Sequence, residues 1–392
     1  MNTPLRLHIA RQDLRQTQLA ADPDSPAARP LAEGQARLQI EHFALTANNL
    51  TYAAFGEAMK YWQFFPAADP AWGCLPVWGF ATVAESRVDG VNPGQRIYGC
   101  LPAGTHLVVQ PQRVSAGGFQ DGSAHRDGLA AVYARYEFCA APGGDTHAEG
   151  LRAVLQPLFV TSFLIDDFLA EHAFFGASQV LLSSASSKTA LGTAWCLAQR
   201  RGQPGAPRVL GLTSPGNLAF TRGLAIYDEV LPYDALAGLN ASRATVYVDM
   251  AGNAALRRQV HEHFAGTLGY SCSVGGTHWQ ALGSGSGLPG PRPTLFFAPS
   301  QMQQRSAAPP QGSGPGGLQQ RLALAWTGFV QALQQPGTGT GAGTGETSGG
   351  LEIVHRHGSE ALLAAYAALA AGQASPREGL MLSLQAEGPA VR

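Results

Sequence analysis

At 392 residues, with 45 % apolar residues and a formal net charge of only −1, the chain has material for two ordinary domains, each with its own core. That balance excludes an intrinsically disordered chain and the basic footprint of a nucleic-acid binder. Residues 1–10 carry no apolar stretch behind a basic start, and no run approaches the roughly 18 apolar residues that span a bilayer, so the expectation is a cytoplasmic protein with no membrane or nucleic-acid partner.

The front of the chain reads as β. Over 35–47 "QARLQIEHFALTA" alternates like a half-buried strand, and "NNLTYAAFG" then breaks the alternation with turn formers. Three short β-rich runs follow over 77–114, "VWGFATVAES", "VNPGQRIYGCL" and "GTHLVVQPQRV", separated by Gly- and Pro-containing turns in the pattern of a small antiparallel barrel. An irregular stretch over 115–150 precedes "LRAVLQPLFVTSFLIDDFLAEHAFF", whose apolar residues recur at three- and four-residue spacing and predict a long helix. From there strands and helices alternate: "ASQVLLSSAS", "KTALGTAWCLAQRRG", "RVLGLTS", "NLAFTRGLA", "DEVLPYD", "ATVYVDMAG", "NAALRRQVHEHFA" and "TLGYSCSVGG". Short apolar strands separated by helices predict a parallel, doubly wound sheet. The segments 283–293, 306–317 and 335–350 are rich in Gly, Pro, Ser, Thr or Gln and read as flexible loop insertions. The chain closes on "LFFAPSQ", the helical "LQQRLALAWTGFVQAL", the strand-like "LEIVHRH" and a helix, turn and strand in "SEALLAAYAALAAGQASPREGLMLSL".

Cys74, Cys100, Cys139, Cys196 and Cys272 are scattered and never spaced Cys-x-x-Cys, which fits buried or incidental thiols and neither a disulfide framework nor a zinc finger. Among the 26 basic residues only Lys60 and Lys188 are lysine. Either is a chance survivor or stands where a compact ammonium does what a guanidinium cannot.

Most of the chemistry concentrates in "QVLLSSASSKTALG", a buried strand that runs through small residues into a helix. A dinucleotide's diphosphate sits at such a bend, where helix-terminal N–H groups are unpaired and small side chains let it approach the backbone. Ser184, Ala185, Ser186, Ser187, Lys188 and Thr189 are therefore candidate cofactor contacts, beside Ser183. The glycine fingerprint of such bends is absent and only Gly192 falls near one of its positions, so helix capping by the serines is the competing reading. Lys188 is unusual for a cap, because it adds positive charge where the helix dipole is already positive, a conflict that a bound phosphate relieves. Ser187-Lys188-Thr189 resembles part of a P-loop without its glycines, which argues against nucleotide hydrolysis. After the second strand of the alternation, where an NAD enzyme presents a carboxylate to the ribose, stand Leu212, Thr213 and Ser214. Ser214 and Asn217 can donate hydrogen bonds and Arg222 can supply charge, a set suited to the 2′-phosphate of NADP(H), although Arg222 fits a solvated helix position equally well.

The order of β-barrel, doubly wound domain and return resembles the medium-chain dehydrogenase/reductase superfamily, in its quinone-oxidoreductase-like branch. "ALTANNLTYAAFG", "VDGVNPGQRIYGCL" and the closing "EALLAAYAALAAGQASPREGLMLSL" carry the resemblance. More narrowly, "TANNLTYAAFG", "SSASSKTALG" and "LFFAPSQ" resemble the DUF2855 family. The resemblance implies an α/β protein with a GroES-like β-barrel catalytic domain over 1–155 and 299–392 and a Rossmann-type dinucleotide-binding domain over 156–298. It implies a small-molecule substrate, and dimerisation through sheet edges. Zinc-dependent members carry Gly-His-Glu where this chain has Gly79, Phe80 and Ala81, which cannot ligate a metal, so no zinc is expected. Asn48 matches an asparagine that lies near the nicotinamide in the superfamily, with Asn49 and Thr51 as polar support and Tyr52 as the nearest proton donor. The alternative is that Asn48 and Asn49 satisfy a turn and Tyr52 is a barrel-rim aromatic. Gly252 and Asn253, Gly275, Gly276 and Thr277 fall after strands and are candidate nicotinamide loops, with His278 and Trp279 beside them. Arg126 can clamp an acidic group or form an ion pair. The implied activity is zinc-independent, NADP(H)-dependent reduction of an activated carbonyl, enone or quinone-like molecule. A lyase or isomerase on the same scaffold, or an NADPH-binding sensor without turnover, are the alternatives.

Overall fold

The structure is a computed structural model that describes residues 3–140, 146–276, 278–283, 285–307, 317–334 and 351–385. It divides into two compact units, Met1–Val154 with Ile353–Ala374 and Glu378–Arg392, and Leu155–Glu352 with Ser375–Arg377.

The first unit contains β1 (Leu5–Ala10), β2 (Thr17–Ala21), β3 (Ala36–Leu45), α1 (Ala47–Ala54), β4 (Trp72–Cys74), β5 (Pro76–Ser86), β6 (Arg96–Pro102), β7 (His106–Val109), β8 (Pro111–Ser115), β9 (Gly118–Asp121) and β10 (Arg135–Cys139). Its main sheet runs β3-β5-β6-β10-β9-β8 through antiparallel pairs, with β7 also on β3. Two register shifts in the β3–β5 pair, at Arg37/Leu38 and at Ile40/His42, bend the sheet as bulges do. β1, β2 and β4 form a separate small sheet that the alternation rule did not reveal, since β2 is half-exposed throughout and β4 is three residues long.

Two expectations are corrected here. The segment 115–150 is not irregular, because β9 and β10 lie in it and extend the barrel sheet. Each is only four or five residues long, too short for a period to register. The turn expected after 47 is helix α1: Asn49 Oδ1 accepts the Thr46 N–H at 2.7 Å, as the third residue of a capping box does, and Asn49 Nδ2 donates to the Pro76 carbonyl at 2.7 Å. Asn49 thus starts a helix with a residue type that ordinarily marks a turn.

A long helix, α2 (Thr146–Glu171), leads to the second unit, which follows as β11 (Gln179–Leu182), α3 (Lys188–Ala198), β12 (Arg208–Thr213), α4 (Leu218–Gly223), β13 (Glu229–Pro232), β14 (Thr245–Asp249), α5 (Ala254–His263), β15 (Leu268–Ser273), β16 (Thr294–Leu295), α6 (Ala298–Ala307) and α7 (Gly317–Gln334). By length and composition α2 is apolar enough to cross a membrane, and 67 % of its apolar window is buried inside the protein, as in a core helix. The sheet order is β13-β12-β11-β14-β15-β16, every pair parallel. In order of appearance that is 3-2-1-4-5-6, the doubly wound order of dinucleotide-binding sheets. Every residue of β11 and β14 is buried, as strands covered on both faces require. Leu181, Leu210, Tyr247, Val260 and Phe264 form one core there.

The chain returns to the first unit at Ile353 with β17 (Glu352–His357), α8 (Ser359–Ala370) and β18 (Glu378–Ser383), later than the expected 299. The reason is α7: its Trp326 and Phe329 pack on Phe159 of α2, and Phe329 also meets Trp195 of α3, which binds the helix to the parallel-sheet unit. β18 pairs with β3, and β17 flanks it. Of the Gly-rich stretches, 308–316 and 335–350 lie outside the described residues, while 283–293 is tethered by Arg257 to the Gly283 carbonyl and by His261 Nδ1 to the Pro289 carbonyl. Four of the five free cysteines are buried and Cys139 is half-buried.

Candidate functional site

In a doubly wound sheet the ligand crevice lies outside the carboxyl ends of the strands, where the strand order reverses. Here that reversal falls between β11 and β14, and the bend from Ser183 to Ser187 occupies the carboxyl end of β11. Ser184 holds φ +49°, the left-handed region that favours glycine. A serine therefore makes the tight turn that a fingerprint glycine makes elsewhere.

The serines divide the work. Ser183 Oγ donates to Asp249 Oδ1 at 2.9 Å and accepts the N–H groups of Met250 and Ala251 at 3.0 and 3.1 Å, joining the ends of β11 and β14. Ala185 is fully buried, its N–H bonded to the Leu212 carbonyl and its own carbonyl to the Tyr227 hydroxyl, each within 2.9 Å. Ser186 Oγ lies 3.2 Å from Thr213 Oγ1 and accepts Asn217 Nδ2 at 3.0 Å. Ser187 alone does what a cap does, accepting the Ala190 N–H at 3.4 Å. Lys188 is the first residue of α3 and half-buried, with Thr189 next to it. Gly192, which stands near a fingerprint position, serves helix packing: a Cβ there would lie 2.7 Å from Ser162 Oγ on α2.

The structure thus brings Ser186, Thr213 and Asn217 together. Ser214 precedes a short 3-10 turn and is half-buried. Arg222, exposed at the end of α4, spends its Nε and Nη2 on the Val230 carbonyl, at 3.3 and 3.0 Å. Gly252 and Gly275 mark a close approach of the two loops after β14 and β15. Gly252 has φ +72°, its Cβ would lie 2.8 Å from the Gly275 carbonyl oxygen and 3.0 Å from Gly276 Cα, and a Cβ on Gly275 would meet the Met250 carbonyl oxygen at 2.7 Å. Thr277 lies outside the described residues. His278 is anchored by its N–H to the Ala251 carbonyl at 2.8 Å, and burial lowers its imidazole below the ordinary histidine value.

Sequence reasoning missed four residues that shape this end of the sheet. Asp249 is a carboxylate at a strand end, 1 % exposed, and Arg257 Nε pairs with its second oxygen at 2.8 Å. That pairing cancels a charge which would otherwise repel a diphosphate. Tyr227 and Tyr233 flank β13; the Tyr233 ring meets His278 edge-on at 5.8 Å, and burial raises its phenol to about 12. "VDMAG" at the end of an apolar strand was the available signal for Asp249. Nothing local pairs Tyr233 with His278.

In the barrel unit, Asn48 and Tyr52 stand four residues apart on one face of α1. Tyr52 is 6 % exposed among Tyr61, Tyr133 and Trp78. Burial drives its phenol far above the ordinary tyrosine value. Asn49 belongs to the helix start, as above. Phe80, at the position of the metal-ligating histidine, packs under the Arg96 guanidinium at 4.6 Å and beside His42 at 5.2 Å. Arg126 is buried and pairs with Asp121 at 2.9 Å, while its terminal nitrogens go to the Tyr133 carbonyl and the Tyr136 hydroxyl, so its donors serve the barrel interior.

A β-barrel unit followed by a 3-2-1-4-5-6 parallel sheet is the architecture of the medium-chain dehydrogenase/reductase proteins. The chain belongs to the family described as "Protein of unknown function (DUF2855)", whose model matches residues 43–375. Among solved structures it is similar to CurA of Vibrio vulnificus in complex with NADPH, with 11 % identity, a TM-score of 0.56 and coverage of 98 % of this chain and 100 % of that one. It is also similar to the apo form of the JamJ enoyl reductase, with 10 % identity, a TM-score of 0.50 and coverage of 97 % and 99 %. These likenesses concern the fold. No curated protein matches the chain.

Proposed function

We propose that the protein is a zinc-independent, NADP(H)-dependent oxidoreductase that reduces an activated carbonyl, enone or quinone-like small molecule. The observation that carries this reading is the bend at the switch point of the sheet, where Ser184 adopts a glycine-like backbone and the side chains around it are small. The likeness in fold to a protein solved with NADPH supports it.

The residues fit the cofactor in kind. The amides of Ser186 and Thr189 and the hydroxyls of Ser184, Ser186, Ser187 and Thr189 offer donors to a diphosphate, and Lys188 adds the charge that favours it. Arg257 neutralises Asp249 beneath them. Thr213, Ser214 and Asn217 offer donors, and no carboxylate, at the end of β12, and Arg222 is the cation of the helix that follows, a set suited to a 2′-phosphate. Gly252, Gly275 and Gly276 keep the loops after β14 and β15 free of bulk for a nicotinamide. When bound, the nicotinamide supplies the hydride. From the barrel unit Asn48 offers an amide to the substrate. Tyr52, whose buried phenol keeps its proton across the working pH range, stands one helical turn after Asn48 and positions it by packing, and the proton comes from water. Phe80 offers no donor to a metal, which supports chemistry without zinc.

Calorimetry with NADPH and NADH tests the reading, on the wild type and on Lys188→Ala and Arg222→Ala. The reading expects an NADPH preference that Arg222→Ala alone removes and a loss of both cofactors with Lys188→Ala. Absence of NADPH binding by the wild type would overturn it. Tight binding without NADPH oxidation across a panel of quinones, enones and aldehydes would favour a sensor, a reading that the bonded state of Ser183 and Ser186 makes concrete.

A further inference from the structure

Arg222 has given two of its three side-chain nitrogens to the Val230 carbonyl, at 3.3 and 3.0 Å. A phosphomonoester carries a charge of about −1.5 to −2 at neutral pH and several acceptor oxygens, so one half-committed guanidinium matches neither its charge nor its acceptors. A second cation stands against the same helix. Arg377 clusters with the parallel-sheet unit, and its guanidinium carbon lies 5.2 Å from the centre of the Phe220 ring on α4. Phe220 is 5 % exposed and follows Asn217 by three residues, so its ring and the Asn217 amide are neighbours along the start of the helix. Asn217 in turn is bonded to Ser186 at the bend. The backbone of Arg377 is held from both sides, its N–H on Ser375 Oγ at 3.3 Å and its carbonyl on the Glu352 N–H at 2.8 Å. Its side chain is exposed and pairs with no carboxylate among the described residues: the adjacent Glu378 is taken by Arg356 at 3.1 Å, and no acid occurs from Thr213 to Tyr227. A guanidinium that rests on a ring with its N–H groups uncommitted is set up for an anion from outside the chain.

We propose that Arg377 is a specificity-determining residue for the dinucleotide: held over Phe220, it joins Arg222 in recognising the adenosine 2′-phosphate and supplies the second positive charge which that dianion calls for. The proposal rests on the reading that the switch point of the sheet holds NADP(H), and it assigns the choice of cofactor to two arginines far apart in the chain. NADH has a hydroxyl where NADPH has the phosphate and offers Arg377 no charge, so Arg377 separates the two cofactors without touching the parts they share.

The test is calorimetry on the wild type, Arg377→Ala and Arg377→Lys with NADPH, NADH and adenosine 2′-monophosphate, the last carrying the 2′-phosphate without the diphosphate or the nicotinamide. Arg377→Ala is expected to weaken NADPH and adenosine 2′-monophosphate roughly ten- to hundred-fold, the value of hydrogen bonds to a charged group, while NADH changes less than about two-fold. Arg377→Lys keeps the charge without the planar fork and is expected to recover part of that loss. An unchanged NADPH affinity in Arg377→Ala, or equal losses for NADPH and NADH, overturns the assignment while the cofactor reading survives. A wild type that binds NADPH and NADH equally overturns the assignment and the NADPH preference together and leaves a dinucleotide site. Failure of the wild type to bind either dinucleotide overturns the cofactor reading and the assignment with it.

Discussion

The bend after β11 and the tyrosine face of α1 handle polar groups in opposite ways. At the bend each buried serine hydroxyl is bonded to a polar group from another strand or loop: Ser183 to Asp249, Ser186 to Thr213 and Asn217. Those partners are polar groups that can be exchanged for others. Around Tyr52 the neighbours are mostly rings, and burial raises the phenol until it holds its proton under any working condition. On the proposed reading the first region trades hydrogen bonds with a ligand, while the second stays fixed. The difference is why the cofactor assignment rests on the bend and why Tyr52 is given a positioning part.

The sharpest way to break the comparison is to disturb the charge beneath the bend. Arg257→Ala leaves the Asp249 carboxylate buried without its cation, and removing one partner of such a pair costs about 3–5 kcal/mol. A fall of that size in unfolding free energy by urea titration is expected, and a loss below about 1 kcal/mol would mean that the bend tolerates an open charge.

The barrel unit carries a titrating group of its own. His42 is pushed down to about 4, first by burial and then by Arg96 and His355, against the opposing pull of Glu41 and Glu149. Its folded value is below the ordinary 6.5, so the unfolded chain binds more protons between the two values. Stability is therefore full above about pH 6.5 and falls as the pH drops toward 4, by up to roughly 3 kcal/mol. Melting followed from pH 7 to pH 4.5 should show that loss, and His42→Phe should flatten it over the same window. An unchanged slope in the variant would assign the acid sensitivity elsewhere.

The smallest effect belongs to Tyr52→Phe. It removes a hydroxyl from a tyrosine cluster that keeps its ring packing, so a stability loss of about 1 kcal/mol is expected. In an activity assay KM should rise more than kcat falls, and the pH–rate profile should keep its shape, because the phenol does not titrate in the working range. A lost basic limb in that profile would make Tyr52 the proton donor after all.

Much of the fold was legible because fully buried strands announce themselves: "QVLL" and "TVYVD" are continuous apolar or β-branched runs, and helices separate them. The barrel was legible in outline from β3, β5 and β6. What stayed hidden was either short, as β4, β9 and β10 are, or locally miscued, as α1 is by its pair of asparagines. The return point was misplaced because the aromatic face of α7 had no visible partner until Phe159 and Trp195 were seen against it. At the site, the small residues of the bend could be read from one strand-to-helix segment. The Ser183–Asp249 bond and the Tyr233–His278 contact join positions far apart in the chain, and no spacing rule connects them.

Amide hydrogen exchange on the full chain, with and without saturating NADPH, tests most directly whether the bend receives the diphosphate. The account expects the N–H groups of Ser186 and Thr189 to gain protection together on adding NADPH, while Ala185 and Ser187, already bonded to the Leu212 and Ser184 carbonyls, change less. NADPH binding that leaves the Ser186 and Thr189 amides exchanging at their unliganded rate would contradict it.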